Sequence, residues 1–374
     1  MESGANVILE KNNLFISEEC SKRISSLRFI LACLVVMFHN NKTLLFILNP
    51  ANLTFSNPEF VAHLPQYIFS YLFTLAPVPL FFMFSAYLQY KKNDDYLVLL
   101  KKRIKTIFLP LVLWPAIIIF GKILIKLACI AIFPDKVSHE IPFVSEWSVR
   151  DWFCAFFGYY FPCYEKMTLC EPFILPFYFI RDLFILIIIS PLIKKLVQKA
   201  PYAYGLFVAA IYFFNIRPAI VCTNALVFYS LGFYFAEYNF DFFKFADRIT
   251  WKQLAVVVIP VMYFVMKNNK SEIIILISCL IMLKFSKLFV EKSEKFFATL
   301  KYFDGLSFFL YAIHLPYLLM FFTSKWYSKI PVSPVTDFFE YFGISIIVCV
   351  TGTIIGIILR KICPKVFGLI NGGR

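Results

Sequence analysis

Leu183-Phe-Ile-Leu-Ile-Ile-Ile189, set between Arg181-Asp182 and Ser190-Pro191, is apolar at every position. Only helices and closed barrels cross a bilayer, and a barrel strand alternates apolar with polar residues. A continuous run of this kind therefore predicts helix. Comparable runs recur at roughly 27–48, 67–90, 104–133, 174–193, 201–217, 219–237, 251–266, 271–289, 302–323 and 338–360. Each approaches the ~20 residues that span a hydrocarbon core. The expectation is an all-α, polytopic integral membrane protein with about ten transmembrane helices.

Composition agrees. Of 374 residues, 60% are hydrophobic and 16% charged, with 47 Phe and 21 Tyr and a mean hydropathy of +0.74. A soluble domain averages about 45–50% apolar and 25% charged residues, and cannot hide this much apolar surface. Disorder, coiled coil and a disulfide-stapled secreted module are excluded by the same balance. The formal charge of +14 does not indicate nucleic acid, because Lys and Arg sit between apolar runs and form no polar, aromatic-interleaved domain. Ten Cys show no CxxC pair and no zinc spacing, so no metal site is expected. Cys154, Cys163 and Cys170 share one loop, where a disulfide would form if that loop faced an oxidising space.

Lys and Arg also set a direction. With the N-terminus inside, the cytoplasmic segments hold 24 of the 37 basic residues and the outer loops 9. That asymmetry predicts both termini in the cytoplasm, and the expected location is the plasma (inner) membrane. Residues 1–26 form a polar cytoplasmic N-terminus without a signal-peptide layout, 27–362 the transmembrane domain, and 363–374 a cytoplasmic tail. The one long outer loop, about 134–173, carries Asp135, Glu140, Glu146, Asp151, Glu165 and Glu171, and its Pro, Trp and Tyr content suggests an ordered lid.

A charge at the bilayer centre costs on the order of 2.5–3.5 kcal/mol on insertion scales, so each such residue demands an explanation. Arg28 and His39 are eleven residues apart in the first run, which places them on one stripe about 16 Å apart along the axis. Arg28 alone reads equally as an interfacial anchor. His39, carried well into the bilayer, needs a partner and offers a base near neutral pH. Arg181-Asp182 in the fourth run and Tyr311-Ala-Ile-His314-Leu-Pro316 in the ninth reach similar depth. Adjacent residues point about 100° apart, so Arg181 and Asp182 need not pair. One alternative is an interhelical salt bridge with packing histidines; the other is a polar cavity lined by three helices. Lys91-Lys92 and Lys101-Lys102-Arg103-Ile-Lys105-Thr106 crowd one cytoplasmic helix entrance, and suit anionic lipid or a phosphorylated cytosolic ligand. Gly352-Thr-Ile-Ile-Gly356 is a GxxxG, read as packing.

Together these residues resemble the membrane-bound acyltransferase family 3, whose members O-acylate envelope sugars. The Arg28–ten residues–His39 pattern resembles the signature of its first helix. Phe81-Phe82-Met-Phe-Ser85-Ala86 is similar to its second-helix stretch, Arg103 through Pro110 and Trp114 to its third, Pro176 through Ser190-Pro191 to its fourth, and Tyr311-Ala-Ile-His314-Leu-Pro316 to its last motif. The resemblance covers roughly residues 20–360. Ala86 departs from the usual Gly, Phe177 or Tyr178 from Trp, and Thr106 from a second Arg.

The resemblance implies acyl transfer, with acetyl-CoA as a cytosolic donor substrate, no bound cofactor, and a glycan acceptor at the outer face. Arg28, Lys102, Arg103 and Lys105 are expected at the donor's phosphates, with Ser85 along the donor path. His39 is expected as general base or acyl relay, with His314 and Tyr311 orienting it or donating to the oxyanion. Arg181 and Asp182 are expected on the substrate side, Asp182 as a partner that fixes a histidine tautomer. Membrane lipid is the other expected partner, nucleic acid is not, and the sequence is silent on oligomeric state. The resemblance is to the family's stand-alone form, so no hydrolase-like domain is expected. The competing readings are a transporter or flippase for a glycan or lipid-linked intermediate, and a non-catalytic membrane scaffold.

Overall fold

The computed structural model describes residues 16–40, 56–132, 147–158, 174–214, 216, 218, 220–268 and 272–373. Most of the 1–26 segment and of the 134–173 loop, with Cys163 and Cys170, lies outside the described residues. Among the described residues the chain is all helix and turn, with no strand. Each apolar run expected from the sequence contains a helix: α1 (Glu18–His39), α2 (Leu64–Lys92), α3 (Tyr96–Ile132), α4 (Leu175–Lys199), α5 (Pro201–Phe213), α6 (Thr223–Glu237), α7 (Trp251–Asn268), α8 (Glu272–Glu291), α9 (Ser307–Tyr327) and α10 (Pro334–Ile362). Six of them, α2, α3, α4, α8, α9 and α10, are long and apolar enough to cross a membrane. The chain is an integral membrane protein. Helices α5 and α6 are short, and α1 carries Lys22, Arg23 and Arg28.

Local chemistry sets the helix ends. Ser17 caps α1 by accepting from the Cys20 amide at 3.2 Å, and Glu18 and Glu19 oppose the helix dipole in its first turn. Asn93, left-handed at φ 46°, ends α2, and the Asp95 carboxylate caps α3 through the Leu97 amide at 2.9 Å. At 37 residues, α3 is about 55 Å long, well beyond a ~30 Å core, so its basic start stands clear of the apolar stretch.

Proline widens several helices. It removes an i→i−4 hydrogen bond, and among the described residues helices widen or kink at Ser70–Thr74, Ile104–Phe108, His314–Leu318 (a kink, with Leu315 extended at φ −121° and ψ 148°) and Glu340–Ile344. Pro77, Pro110 and Pro316 stand just after or inside the first three. Such bulges concentrate at functional positions. Pro191 shows another remedy. The Ile187 carbonyl it deprives accepts from the Ser190 hydroxyl at 2.7 Å instead. Ser190 in turn accepts from Gln89 Nε2 at 2.8 Å, and the Gln89 carbonyl oxygen accepts from the Tyr229 hydroxyl at 2.8 Å. That chain of bonds fastens α2, α4 and α6 together.

Helix α1 packs against α2, α8, α9 and α10. Its Arg23 is 1% exposed, and is held by both Asp247 oxygens (2.6 and 3.0 Å), Ser286 Oγ (2.8 Å) and the Leu283 carbonyl (2.8 Å). The short helix Phe242–Arg248 is thereby tied to α1 and α8. Within the long loop, Val149–Phe157 is a helix with a Ser148–Asp151 capping box, packed on α3. The C-terminal segment is likewise no free tail. Pro364–Ile370 is a helix that buries Phe367 and Ile370, and Trp114 Nε1 donates to the Ile370 carbonyl at 2.9 Å. Gly372, at φ +69°, seats its backbone on the Thr106 carbonyl of the π turn, where a side chain would collide.

Helices α2 and α6 approach so closely that a Cβ on Gly232 would meet the Met83 carbonyl, Ala86 Cβ at 2.7 Å and Tyr87 N at 3.0 Å. Ala86, which departs from the family's usual Gly, is thus answered by a glycine on the facing helix. Gly232→Val is expected to destabilise the protein by more than the ~1–3 kcal/mol of ordinary overpacking, because backbone atoms cannot step aside. Thermal unfolding followed by size-exclusion in detergent checks this. A melting temperature equal to the wild type's would contradict the assigned packing.

Candidate functional site

The continuity of α1 keeps Arg28 and His39 on one stripe with ~16 Å between them. Each lies in a different cluster.

At the far end, the His39 ring meets the His314 ring with centroids 5.3 Å apart and planes tilted by 38°. His39 is half-buried, and neither of its nitrogens has a hydrogen-bond partner among the described residues. His314 is fully buried. It stands just before the kink at Leu315, and its Nδ1 lies 2.6 Å from the Tyr311 carbonyl. A carbonyl oxygen only accepts, so Nδ1 carries the proton and Nε2 keeps a lone pair. That Nε2 is buried without a partner among the described residues. A neutral ring held this way accepts at Nε2. Of the two tasks expected of His314, orienting His39 fits this tautomer and oxyanion donation does not.

Tyr311 is a scaffold for this pair. Its ring stacks on Phe177 at 6.0 Å with a 6° interplanar angle, and its hydroxyl donates to the Pro176 carbonyl. With that donor engaged, its carbonyl rather than its hydroxyl acts on His314. The GxxxG of α10 seats this stretch, since side chains on Gly352 and Gly356 would meet Leu310 Cδ1 and Phe309 Cδ1, each at 2.9 Å. The motif is packing, as its sequence suggests.

Arg181 and Asp182 do pair. Although their Cα–Cβ bonds diverge, the long guanidinium arm folds back so that Nε and Nη2 reach Asp182 Oδ1 at 2.9 and 2.6 Å. Arg181 Nη1 also donates to the Phe157 carbonyl, and Asp182 Oδ2 accepts from the Cys222 amide at 2.8 Å. Neither is hydrogen-bonded to His39 or His314, so the tautomer expected from Asp182 is set by the Tyr311 carbonyl instead. The pair fastens α4 to the loop helix and to the start of α6.

At the Arg28 end the sequence-predicted cations converge. Arg28, Lys92, Lys102 and Arg103 lie close enough to repel one another, with Asp94 as a neighbouring acid. Arg28 Nη1 is 3.2 Å from Asp304 Oδ2, and its side chain is 36% exposed. Arg103 Nε and Thr106 Oγ1 are buried without hydrogen-bond partners among the described residues. Buried polar atoms are normally satisfied, so a like-charged cluster with two orphans is laid out for an anion. Lys105 is exposed. Ser85 is half-buried on α2 and makes no hydrogen bond among the described residues.

Sequence reading passed over several polar residues that the fold uses. Arg23 was masked by its basic neighbour Lys22, and Asp304 by lying at the end of a short amphipathic helix, Glu294–Asp304. Asn40 and Glu340, 3% and 2% exposed, come together across three hundred residues of chain, which no local pattern foretells. Comparison with known proteins adds one match: the acyltransferase 3 family model, an acyltransferase domain, aligns with residues 22–358. Neither a curated protein nor a solved structure matches the chain.

Proposed function

The chain belongs to the acyltransferase 3 family, and from that premise we propose that it moves an acetyl group from cytosolic acetyl-CoA to a hydroxyl of an exported envelope glycan. In this reading all ten apolar helices cross the plasma membrane, both termini are cytoplasmic, and the Arg28 cluster is the inner mouth. The observation that carries it is one continuous helix, α1, with a half-exposed cation in an orphan-bearing basic cluster at one end and a half-open imidazole, backed by a second, at the other.

The chemistry follows from this layout. Arg103 and Arg28 hold the donor's phosphates, and the extended pantetheine arm spans the ~16 Å to His39. His39 removes the proton from the acceptor hydroxyl as its oxygen attacks the thioester carbonyl. The tetrahedral intermediate collapses, the carbon–sulfur bond breaks, and the imidazolium returns the proton to the departing thiolate. An ester and free CoA result, so atoms and charge balance. His314 backs the His39 ring by packing against it, and so limits the orientations from which His39 meets the hydroxyl.

Membrane vesicles supplied with radiolabelled acetyl-CoA on the cytoplasmic side test the proposal. Label is expected on the envelope polysaccharide together with free thiol in equal amount. A transporter would move solute and leave the thioester intact, and that result would overturn the proposal.

A further inference from the structure

One residue beyond His39, Asn40 closes α1 and is 3% exposed. Asn commonly ends helices because it tolerates a left-handed backbone. That reason is absent here, since Asn40 is right-handed at φ −81° and ψ −4°. Its side chain is engaged elsewhere. Nδ2 donates to the Glu340 carbonyl (3.3 Å), the Tyr341 carbonyl (3.1 Å) and Ser345 Oγ (3.2 Å), all on the π turn of α10 or beside it. The single Thr323 hydroxyl proton is shared between Glu340 Oε1 at 3.1 Å and Asn40 Oδ1 at 3.4 Å, the shorter contact being to Glu340. Thr323 lies on α9, nine residues after His314.

We infer that Asn40 is a positioning residue: with Thr323 and the π turn of α10 it bolts the His39 end of α1 to the helix that carries His314, and so sets the separation of the two rings. The inference rests on the acyl-transfer reading above. His39 stands immediately beside this knot, and His314 lies nine residues before Thr323 on α9, across the kink at Leu315. The rings touch only by van der Waals contact, so nothing between them holds their spacing. The knot supplies the missing constraint. Its neighbours reinforce it: Ser345 Oγ donates to the Tyr341 carbonyl at 2.5 Å, and the Tyr341 hydroxyl lies 2.9 Å from Ser70 Oγ on the π turn of α2. A misplacement of about 1 Å in a reacting group costs on the order of 10²-fold in rate.

The test uses the full-length protein in membrane vesicles with radiolabelled acetyl-CoA. Asn40→Asp keeps the side chain's size but removes both donors and sets a carboxylate against two carbonyls. Thr323→Val removes one hydroxyl at constant shape, and Thr323→Ser restores it. Asn40→Asp and Thr323→Val are expected to lower kcat per folded protein by about 10- to 100-fold, with KM for acetyl-CoA within twofold of wild type; Thr323→Val should keep the wild-type melting in detergent, whereas Asn40→Asp should melt earlier because its buried carboxylate faces two carbonyls. Thr323→Ser should recover the rate. Should Asn40→Asp fail to fold, Thr323→Val and its serine rescue decide alone. Unchanged kcat, a loss that only tracks the folded fraction, or a raised KM in its place would each overturn the inference. Wild-type activity together with an inactive His39→Ala variant would show that the acyl-transfer reading itself survives; an inactive wild type would overturn both.

Discussion

Replacing His39 by alanine is expected to lower acetyl transfer by about 10²- to 10⁴-fold, the usual contribution of a positioned acid–base group, while leaving the protein folded. Stability is spared for a local reason. The His39 ring has no hydrogen-bond partner among the described residues and is half-buried, so its removal orphans no polar atom and opens no sealed cavity. His39→Gln, which keeps hydrogen-bonding capacity but cannot carry the proton, should be as inactive as alanine. His314→Gln should retain more activity, since His314 meets the His39 ring only by packing and carries no proton of the reaction. The measurement is label transferred to polysaccharide at saturating acetyl-CoA, normalised to folded protein by size-exclusion. Wild-type rates in His39→Ala would return both histidines to helix packing and favour the transporter reading, in which an uncharged imidazole on the path is dispensable.

What could be read in advance, and what could not, follows from the range of the interactions. Helicity was legible because each run is a local property, and the Arg28–His39 stripe because an unbroken helix converts spacing into direction. The cationic mouth was legible in part: Lys101-Lys102-Arg103 announces itself, but the acid opposite Arg28 is Asp304, 276 residues later. Asn40 meets Glu340 over a comparable distance, and no periodicity marks either. The pairing of Arg181 with Asp182 was left open by local reasoning for a different cause. Backbone geometry points the two apart, yet a guanidinium on three methylenes has the reach to fold back, and a buried carboxylate rewards it for doing so. The C-terminal segment, expected as a cytoplasmic tail, is docked beside Thr106 by two buried apolar residues and a glycine that accepts φ +69°, contacts that no local pattern marks.

Arg103→Gln is expected to raise KM for acetyl-CoA by about 10- to 100-fold and leave kcat at saturating donor near the wild-type value. A hydrogen bond to a charged group contributes roughly 1.5–3 kcal/mol, and 1.4 kcal/mol is a factor of ten in affinity. Arg103 is singled out over its neighbours by its surroundings. Lys102 and Lys105 are exposed, where solvent screens their charge. Arg28 already has Asp304 at 3.2 Å, which a phosphate must compete with, so Arg28→Gln should cost less. Arg103 faces like charges and carries a buried Nε with no protein partner among the described residues, the arrangement in which an added anion relieves most repulsion. The two arms of the cluster separate in one experiment, by comparing KM for acetyl-CoA with KM for its analogue lacking the 3′-phosphate. If Arg103 holds that phosphate, wild type should lose affinity for the analogue and Arg103→Gln should no longer distinguish the two donors. A fall in kcat at unchanged KM would instead make Arg103 part of the scaffold between α2 and α3, and the anion site would have to be sought elsewhere on the inner face.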